Sequence, residues 1–243
     1  GMGKVADACR ALGLDNAGAD WEGVKYYIKK FEAETNITGY LVMDLSQSMD
    51  FTYRQQLSKF DYAVCLAAAL CYLMIQQNDP VGLITFDEQI RNCLAPKSKR
   101  TQLGTVLAQL SRLRPAGTTD IAKSVTQIAA MLRHHSLIMI FSDLLAAEEP
   151  ILQSLSRLRH AGHDVILFHV LDEAEVTFPF DGLMEFEEPE NEDLLQVDAA
   201  SFRPDYLAEV DSFRDRYRTE CMQLGIDYVP LDTSMLFDKA LLE

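Results

Sequence analysis

The stretch that decides the fold spans residues 39–49 and reads GYLVMDLSQSM. Its first half is a short apolar run that ends in an acid, which is typical of a strand buried on both faces of a sheet. Further apolar runs of this kind occur at 81–86, 137–141, 164–171 and 226–231. Segments with helical composition or spacing lie between and around them, at 59–76, 101–113, 119–133, 148–160 and 206–224. This alternation predicts an α/β fold with a doubly wound, mostly parallel sheet and helices on both faces.

Composition and charge limit the function classes. The 243 residues include 22 Lys and Arg against 37 Asp and Glu, which gives a formal charge of −15. Because non-specific phosphate binding needs a basic surface, we expect no nucleic-acid partner. The charge is uneven: the segment 172–198 has eleven acidic and no basic residues, and 89–119 has six basic and no acidic ones. We therefore expect one domain with an acidic insertion at 172–198, and a basic side.

The sequence gives no sign of membrane insertion. Its longest uncharged apolar stretch, 63–75, is too short to cross a bilayer and predicts a buried helix. The five cysteines include no Cys-x-x-Cys pair, which favours reduced thiols. Together these features predict a cytoplasmic location.

Oxygen-bearing side chains follow the predicted strands. Asp44, Ser46 and Ser48 come at the end of the first strand, and their spacing lets the two hydroxyls turn the same way in an extended loop. Thr119 lies in a turn before a predicted helix, and Asp143 follows the strand that ends near residue 141. In parallel α/β sheets ligands bind at the carboxyl ends of the strands, and hard divalent cations prefer carboxylate and hydroxyl oxygens. The pattern predicts a divalent-metal site.

Two other interpretations stay open at this point. The same residues can form a hydrogen-bonded turn network without a metal, because serines and acids often cap helices. In the turn Gly-Thr-Thr-Asp at 117–120, Thr119 and Asp120 can act as simple N-caps, and Thr118 is a competing ligand candidate.

These motifs together resemble the von Willebrand factor A domain. The resemblance rests on Asp-x-Ser-x-Ser after the first strand, on a Gly-x-Thr-Asp turn before a later helix, and on an Asp that ends the next strand. It implies a von Willebrand factor A-like fold and a metal-ion-dependent adhesion site. The residues that match its five positions are Asp44, Ser46, Ser48, Thr119 and Asp143. The implied ion is Mg²⁺, with Mn²⁺ or Ca²⁺ as alternatives.

Longer segments narrow the resemblance to one bacterial family. The segments 26–36, 79–83, 159–166, 171–180 and 225–228 are similar to the von Willebrand A-like family classed as a domain of unknown function, number fifty-eight. Its members are typically encoded beside MoxR-type AAA+ ATPases, which implies a cytosolic adaptor or partner of such an ATPase in protein assembly or maturation. By this comparison residues 1–36 are an N-terminal lead-in, partly an expression scar and shorter than in the family. Residues 37–243 form the von Willebrand factor A-like domain.

We therefore expect a non-enzymatic, metal-dependent protein-binding module. A site with only two acids leaves a dication partly uncompensated, so an Asp or Glu of a partner protein can supply a further ligand. The basic stretch at 97–114 is expected to steer such an acidic partner. One alternative is a metal-dependent phosphoryl hydrolase with Asp44 as nucleophile, although Ser46 stands where that chemistry wants a second acid. The other is a structural subunit with an unused metal site.

Overall fold

The structure is a computed structural model that describes residues 37–187 and 194–240, so the predicted lead-in at 1–36 lies outside the described residues. The strands are β1 Gly39–Asp44, β2 Val81–Phe86, β3 Ile90–Lys97, β4 Leu137–Ser142, β5 Asp164–Leu171, β6 Leu183–Glu187, β7 Leu194–Asp198 and β8 Asp227–Asp232. The helices are α1 Lys59–Gln76, α2 Arg100–Leu110, α3 Ile121–Met131, α4 Glu148–His160, α5 Glu173–Thr177, α6 Ala199–Leu224 and α7 Phe237–Ala240. A 3-10 turn at Gln47–Asp50 follows β1.

Six strands form one sheet in the order β3-β2-β1-β4-β5-β8. All neighbouring pairs are parallel except β2 with β3, which form an antiparallel hairpin at one edge. β6 and β7 form a separate two-stranded hairpin within the predicted acidic insertion. The continuous apolar runs thus became the central parallel strands, and the predicted mostly parallel α/β sheet is confirmed.

Both faces of the sheet are covered by helices. Along β1, Leu41 and Met43 face a core shared with α1 and α2, while Val42 faces a second core shared with α3, α4 and α6. This division follows from the period of two in a strand, which sends successive side chains to opposite faces. The predicted arrangement with helices on both faces is therefore confirmed.

Helix α1 belongs to the first core. By length and composition alone it is the one helix in the described part of the chain that could cross a membrane, and half of this helix is buried within the fold. Leu66, Ala67 and Cys71 are fully buried against the sheet. The buried helix predicted from residues 63–75 is present.

Two details differ from the sequence prediction. Helix α6 begins at Ala199, seven residues before the predicted start at Tyr206. The predicted start is too late because Pro204 lies inside the helix, whereas a proline normally indicates a helix start. Lys97, the first residue of the basic stretch that we expected to steer an acidic partner, pairs with Val81 at the first residue of β2. The hairpin reverses the chain direction, so Lys97 lies at the opposite end of the strands.

The topology brings three loops to one edge of the sheet. β1 and β4 are neighbours at the centre of the sheet. The strand that follows β1 in the chain, β2, lies on one side of this pair, and the strand that follows β4, β5, lies on the other, so the strand order reverses between β1 and β4. Crevices outside the carboxyl ends of strands at such a switch point are where α/β sheets bind ligands. The loops after β1 and β4 lie here, together with the loop that leads into α3.

Candidate metal centre

Asp44 is the last residue of β1 and is completely buried. Its Oδ1 accepts a hydrogen bond of 2.9 Å from the backbone N–H of Ser46 and a longer one of 3.4 Å from Thr119 Oγ1. Its Oδ2 accepts from Ser142 Oγ at 2.6 Å. Asp44 therefore joins the ends of β1 and β4 to the loop before α3.

Ser46 is the N-cap of the 3-10 turn, and Ser48 lies within it. Ser46 Oγ and Ser48 Oγ are 3.1 Å apart, so both hydroxyls turn the same way as expected, although Ser48 lies in a turn rather than in an extended loop. Ser46 is fully buried and Ser48 is partly exposed. A hydroxyl pair of this kind offers two neutral oxygens next to the Asp44 carboxylate.

The loop before α3 is attached to the β1 loop through its backbone. Gln47 N–H donates to the carbonyl of Gly117 at 2.9 Å, and the N–H of residue 116 donates to the carbonyl of residue 45 at 2.8 Å. Asp120 is the N-cap of α3 and accepts from Lys123 N–H, whereas Thr118 is exposed and bonds to Glu88. The capping role therefore belongs to Asp120, and of the two threonines it is Thr119 that contacts Asp44.

The charge on Asp44 is poorly compensated. Burial raises the pKa of its carboxyl from 3.8 to about 6, and the negative charge of Asp143 adds to this rise. The hydrogen bonds from Ser142 and Ser46 act in the opposite direction without cancelling it. A divalent cation would stabilise the ionised form of Asp44, since an adjacent positive charge favours a carboxylate.

Asp143 has a cationic partner that the sequence did not indicate. Lys59, the first residue of α1, is fully buried and its Nζ lies 2.8 Å from Asp143 Oδ2 and 2.8 Å from Glu175 Oε1. Burial opposes the charge on Lys59, but the two carboxylates outweigh it and raise its pKa. Asp143 Oδ1 accepts a weak hydrogen bond of 3.3 Å from Leu145 N–H. Among the described residues, no hydrogen bond joins Asp143 to the four other predicted ligands, so Asp143 acts on Asp44 through the repulsion between the two carboxylates.

A buried histidine holds the backbone of Asp143. His169 Nε2 is 3.1 Å from the carbonyl oxygen of Asp143, and its Nδ1 is 2.6 Å from the Tyr228 hydroxyl. Because a carbonyl only accepts, Nε2 carries the proton and Nδ1 accepts from Tyr228. Burial lowers the pKa of His169 to about 3, which keeps the ring neutral. His169 is therefore a buried core residue with both ring nitrogens hydrogen-bonded.

The donor set fits a hard dication. It consists of two carboxylates and three hydroxyls, and one carboxylate is buried with little compensation. Within the ranges 37–187 and 194–240, no group of three or more His, Cys, Asp or Glu side chains forms a metal cluster, so the site is rich in hydroxyls rather than in acids or nitrogen ligands. Oxygen donors of this kind suit Mg²⁺, Mn²⁺ or Ca²⁺. The assignment of Asp44, Ser46, Ser48, Thr119 and Asp143 as ligands stays a prediction.

Lys59 and Glu175 are the residues that sequence reasoning missed. The sequence singles out neither residue: Lys59 opens a predicted helix, and Glu175 is one of eleven acids in the segment 172–198. One signal was available: Lys59 is the only basic residue in a mostly apolar helix of 18 residues. A lone lysine at the start of a buried helix needs a carboxylate partner, because unpaired charges are almost never fully buried.

Solved structures share this fold at low sequence identity. BatB from Bacteroides thetaiotaomicron has a TM-score of 0.55 and 15% identity, over 85% of this chain and 100% of that one. An aerotolerance-related membrane protein from Bacteroides fragilis has a TM-score of 0.56 and 18% identity, over 85% and 96%. The SpRpn10 VWA domain has a TM-score of 0.49 and 12% identity, over 84% and 93%.

The predicted α/β fold of the von Willebrand factor A type is confirmed by the order of the sheet strands, and the two Bacteroides structures share it. No curated protein sequence matches the chain at a significant level. Residues 18–216 match the family described as "Protein of unknown function DUF58". That match covers more than half of the chain, which therefore belongs to the DUF58 family.

Proposed function

We propose that this chain is a non-enzymatic protein-binding module that works through a divalent metal ion. Asp44, Ser46, Ser48, Thr119 and Asp143 supply oxygen ligands to Mg²⁺, or to Mn²⁺ or Ca²⁺ in its place. The carboxylate of a partner's Asp or Glu completes the coordination shell. The bound ion would supply a Lewis-acidic contact point for that carboxylate.

The observation that carries this proposal is the environment of Asp44. Its carboxylate is completely buried, it stands beside a second carboxylate, and hydroxyl groups surround it. A purely structural turn network would gain stability from a neutral residue here, since a buried, poorly compensated charge is costly. Oxygen donors around such a charge, at the carboxyl ends of neighbouring parallel strands, are what a dication site requires.

A calorimetric titration tests the metal part of the proposal. Protein stripped with chelator is titrated with Mg²⁺ and with Mn²⁺, beside the variants Asp44→Ala and Asp79→Ala. Asp79 is a matched control, because it is also a buried aspartate but precedes β2, at the other end of the strands. We expect binding by the native chain and by Asp79→Ala, and none by Asp44→Ala. Unchanged Mg²⁺ affinity in Asp44→Ala would overturn the assignment.

The proposed partner is a MoxR-type AAA+ ATPase in the cytoplasm, and the interaction with it serves protein assembly or maturation. Because such an ATPase needs Mg²⁺ for its own nucleotide, chelators cannot separate the two uses of metal. Asp44→Ala removes only the metal of this chain. We expect a purified MoxR-type ATPase from the same organism to bind the native chain and not this variant. Equal binding to both would favour the structural-subunit alternative.

A phosphoryl hydrolase that uses Asp44 as nucleophile is the other alternative. Both carboxylate oxygens of Asp44 accept hydrogen bonds, the residue is completely buried, and Ser46 occupies the position of the expected second acid. These features favour a binding role. A generic phosphatase substrate in millimolar Mg²⁺ tests this directly, and turnover that Asp44→Asn abolishes would support the hydrolase.

A further inference from the structure

We propose that the candidate metal centre is bordered by an apolar rim, formed by Phe51, Tyr53 and Leu145, that binds a bulky apolar side chain next to the partner's carboxylate. This inference rests on the proposed metal-dependent function and deepens it. The partner that fits this surface presents an exposed segment in which an Asp or Glu lies within one or two positions of a large apolar residue.

The first part of the rim follows the two serines. Phe51 and Tyr53 are each 42% exposed, although aromatic side chains of this size are normally covered. The Phe51 ring lies over Lys59 Nζ with its centroid 5.9 Å away. Tyr53 packs edge-on against Phe180 at 4.8 Å, and the exposed Arg54 lies over the Tyr53 ring at 4.9 Å. The rings are therefore held in place, while part of each stays open to a partner.

The second part of the rim follows Asp143. Leu145 is 51% exposed, and its N–H is the group that contacts Asp143 Oδ1. It is turned outward by Leu144, whose φ of 56° lies in the left-handed region and whose side chain is completely buried. A left-handed backbone is unusual for a bulky residue and is concentrated at functional sites. The turn therefore presents an apolar side chain to solvent directly beside a predicted metal ligand.

Phe178 has the same backbone feature on the Tyr53 side. Its φ is 46° at the end of α5, the helix that carries Glu175. Its ring contacts Phe180, which in turn contacts Tyr53. Among the described residues, three non-glycine positions have a positive φ, and the two bulky ones lie on the segments that border this site.

The dimensions fit one short peptide segment. The Phe51 centroid is 5.9 Å from Lys59 Nζ, and Nζ is 2.8 Å from Asp143 Oδ2, so the ring lies within about 9 Å of that carboxylate. Consecutive Cα atoms are about 3.8 Å apart. When the carboxylate of a partner peptide lies at the metal, a side chain one or two positions along that peptide therefore lies over the rim. Arg54 adds positive charge beside the rings, which complements an acidic segment rather than a basic one.

Fluorescence anisotropy with labelled peptides tests the rim. The probes are two short peptides with one Asp each, flanked either by Phe and Leu or by Gly and Ser, measured in millimolar Mg²⁺ and in chelator. The variants are Phe51→Ser with Leu145→Ser, and the matched control Tyr72→Ser with Leu73→Ser. Tyr72 and Leu73 are 49% and 46% exposed on α1, nearly four turns from its Lys59 end. Each variant is also titrated with Mg²⁺ alone, so that loss of metal is separated from loss of peptide.

We expect the native chain to bind the apolar-flanked peptide about tenfold more tightly than the Gly/Ser peptide, because part of two apolar side chains is covered. The rim variant should lose that preference, and the control variant should keep it. Metal-dependent binding without any preference would overturn the rim and leave the proposed function standing. Absence of metal-dependent binding to either peptide would overturn both. Self-association of the native chain that the rim variant abolishes would assign the surface to a second copy and overturn the peptide partner.

Discussion

Replacing Asp44 by Asn should stabilise the fold at neutral pH in the absence of metal. The folded-state pKa of Asp44 is about 6, raised from 3.8 by burial and by Asp143. A folded-state pKa above the unfolded value means that the ionised form is disfavoured in the fold. The contribution of Asp44 to the free energy of unfolding is therefore greatest below pH 3.8 and is lost as the pH rises through about 6.

The magnitude follows from the size of the shift. The rise of the Asp44 pKa from 3.8 to about 6 lowers the free energy of unfolding by about 3 kcal/mol when the carboxyl is fully ionised. Lowering the pH from 8 to 5 should therefore raise the free energy of unfolding of the native chain by about 1 kcal/mol relative to that of the variant. Asn has nearly the same shape, and its amide oxygen can still accept from Ser46 N–H. The altered contact with Ser142 Oγ offsets part of the gain. At pH 8 we expect Asp44→Asn to be more stable than the native chain by about 1–3 kcal/mol.

Urea unfolding in chelator, followed by circular dichroism at pH 5 and pH 8, measures this difference. Excess Mg²⁺ provides the control: it should stabilise the native chain and have no effect on Asp44→Asn, because the variant lacks the charged ligand. If the two proteins differ by the same amount at both pH values, then Asp44 carries no uncompensated charge and the electrostatic argument for a metal fails.

Three further predictions concern stability and are measured by the same unfolding experiment. Lys59→Met should lower the free energy of unfolding by about 3–5 kcal/mol, since it leaves the fully buried Asp143 and the partly buried Glu175 without their cation, and adding Glu175→Gln should restore part of the loss. Gly82→Ala should cost about 1–3 kcal/mol because its Cβ would lie 2.8 Å from a backbone oxygen of β3, whereas Gly104→Ala meets nothing within 4 Å and should be neutral or stabilising. Tyr217→Phe should leave stability unchanged or raise it by about 1–2 kcal/mol, because its buried hydroxyl has no hydrogen-bond partner in the described part of the chain.

The sheet could be predicted because each central strand carries its own signal. A strand covered on both faces is apolar at nearly every position, and β2 and β4 show this as near-continuous runs that include only Thr85 and Ser142 as polar residues. The ends of the strands are marked equally clearly, since the run that forms β1 stops at Asp44. Carboxyl ends of parallel strands meet at one edge, so the position of the polar cluster followed from the order of the elements.

The remaining features depend on contacts between distant parts of the chain. Lys59 and Glu175 are 116 positions apart, and no local pattern in either segment indicates that they pair. The location of Lys97 depends on the direction of β3, which the hairpin reverses. The exposure of Leu145 depends on the left-handed turn at Leu144, which its sequence does not favour, because leucine seldom adopts this conformation.

The Lys59 ion pairs lead to a last prediction, on metal affinity. Lys59 is shared between Asp143 and Glu175, and its charge is divided between the two carboxylates. In Glu175→Gln the whole charge of Lys59 falls on Asp143, and the site is less negative by one unit. Both effects oppose a dication, and a unit charge several ångströms away at partial burial corresponds to about a tenfold loss of Mg²⁺ affinity.

Glu173→Gln is the matched control for this prediction, since it removes the same charge two positions away, where Glu173 bonds to Gln55 rather than to Lys59. A smaller loss in Glu173→Gln than in Glu175→Gln would identify the lysine as the coupling element. Equal affinities in the native chain and in Glu175→Gln would show that Lys59 does not influence the metal. In that case Asp143 would pair with Lys59 and would not bind the metal, and only Asp44 and the three hydroxyls would hold the ion.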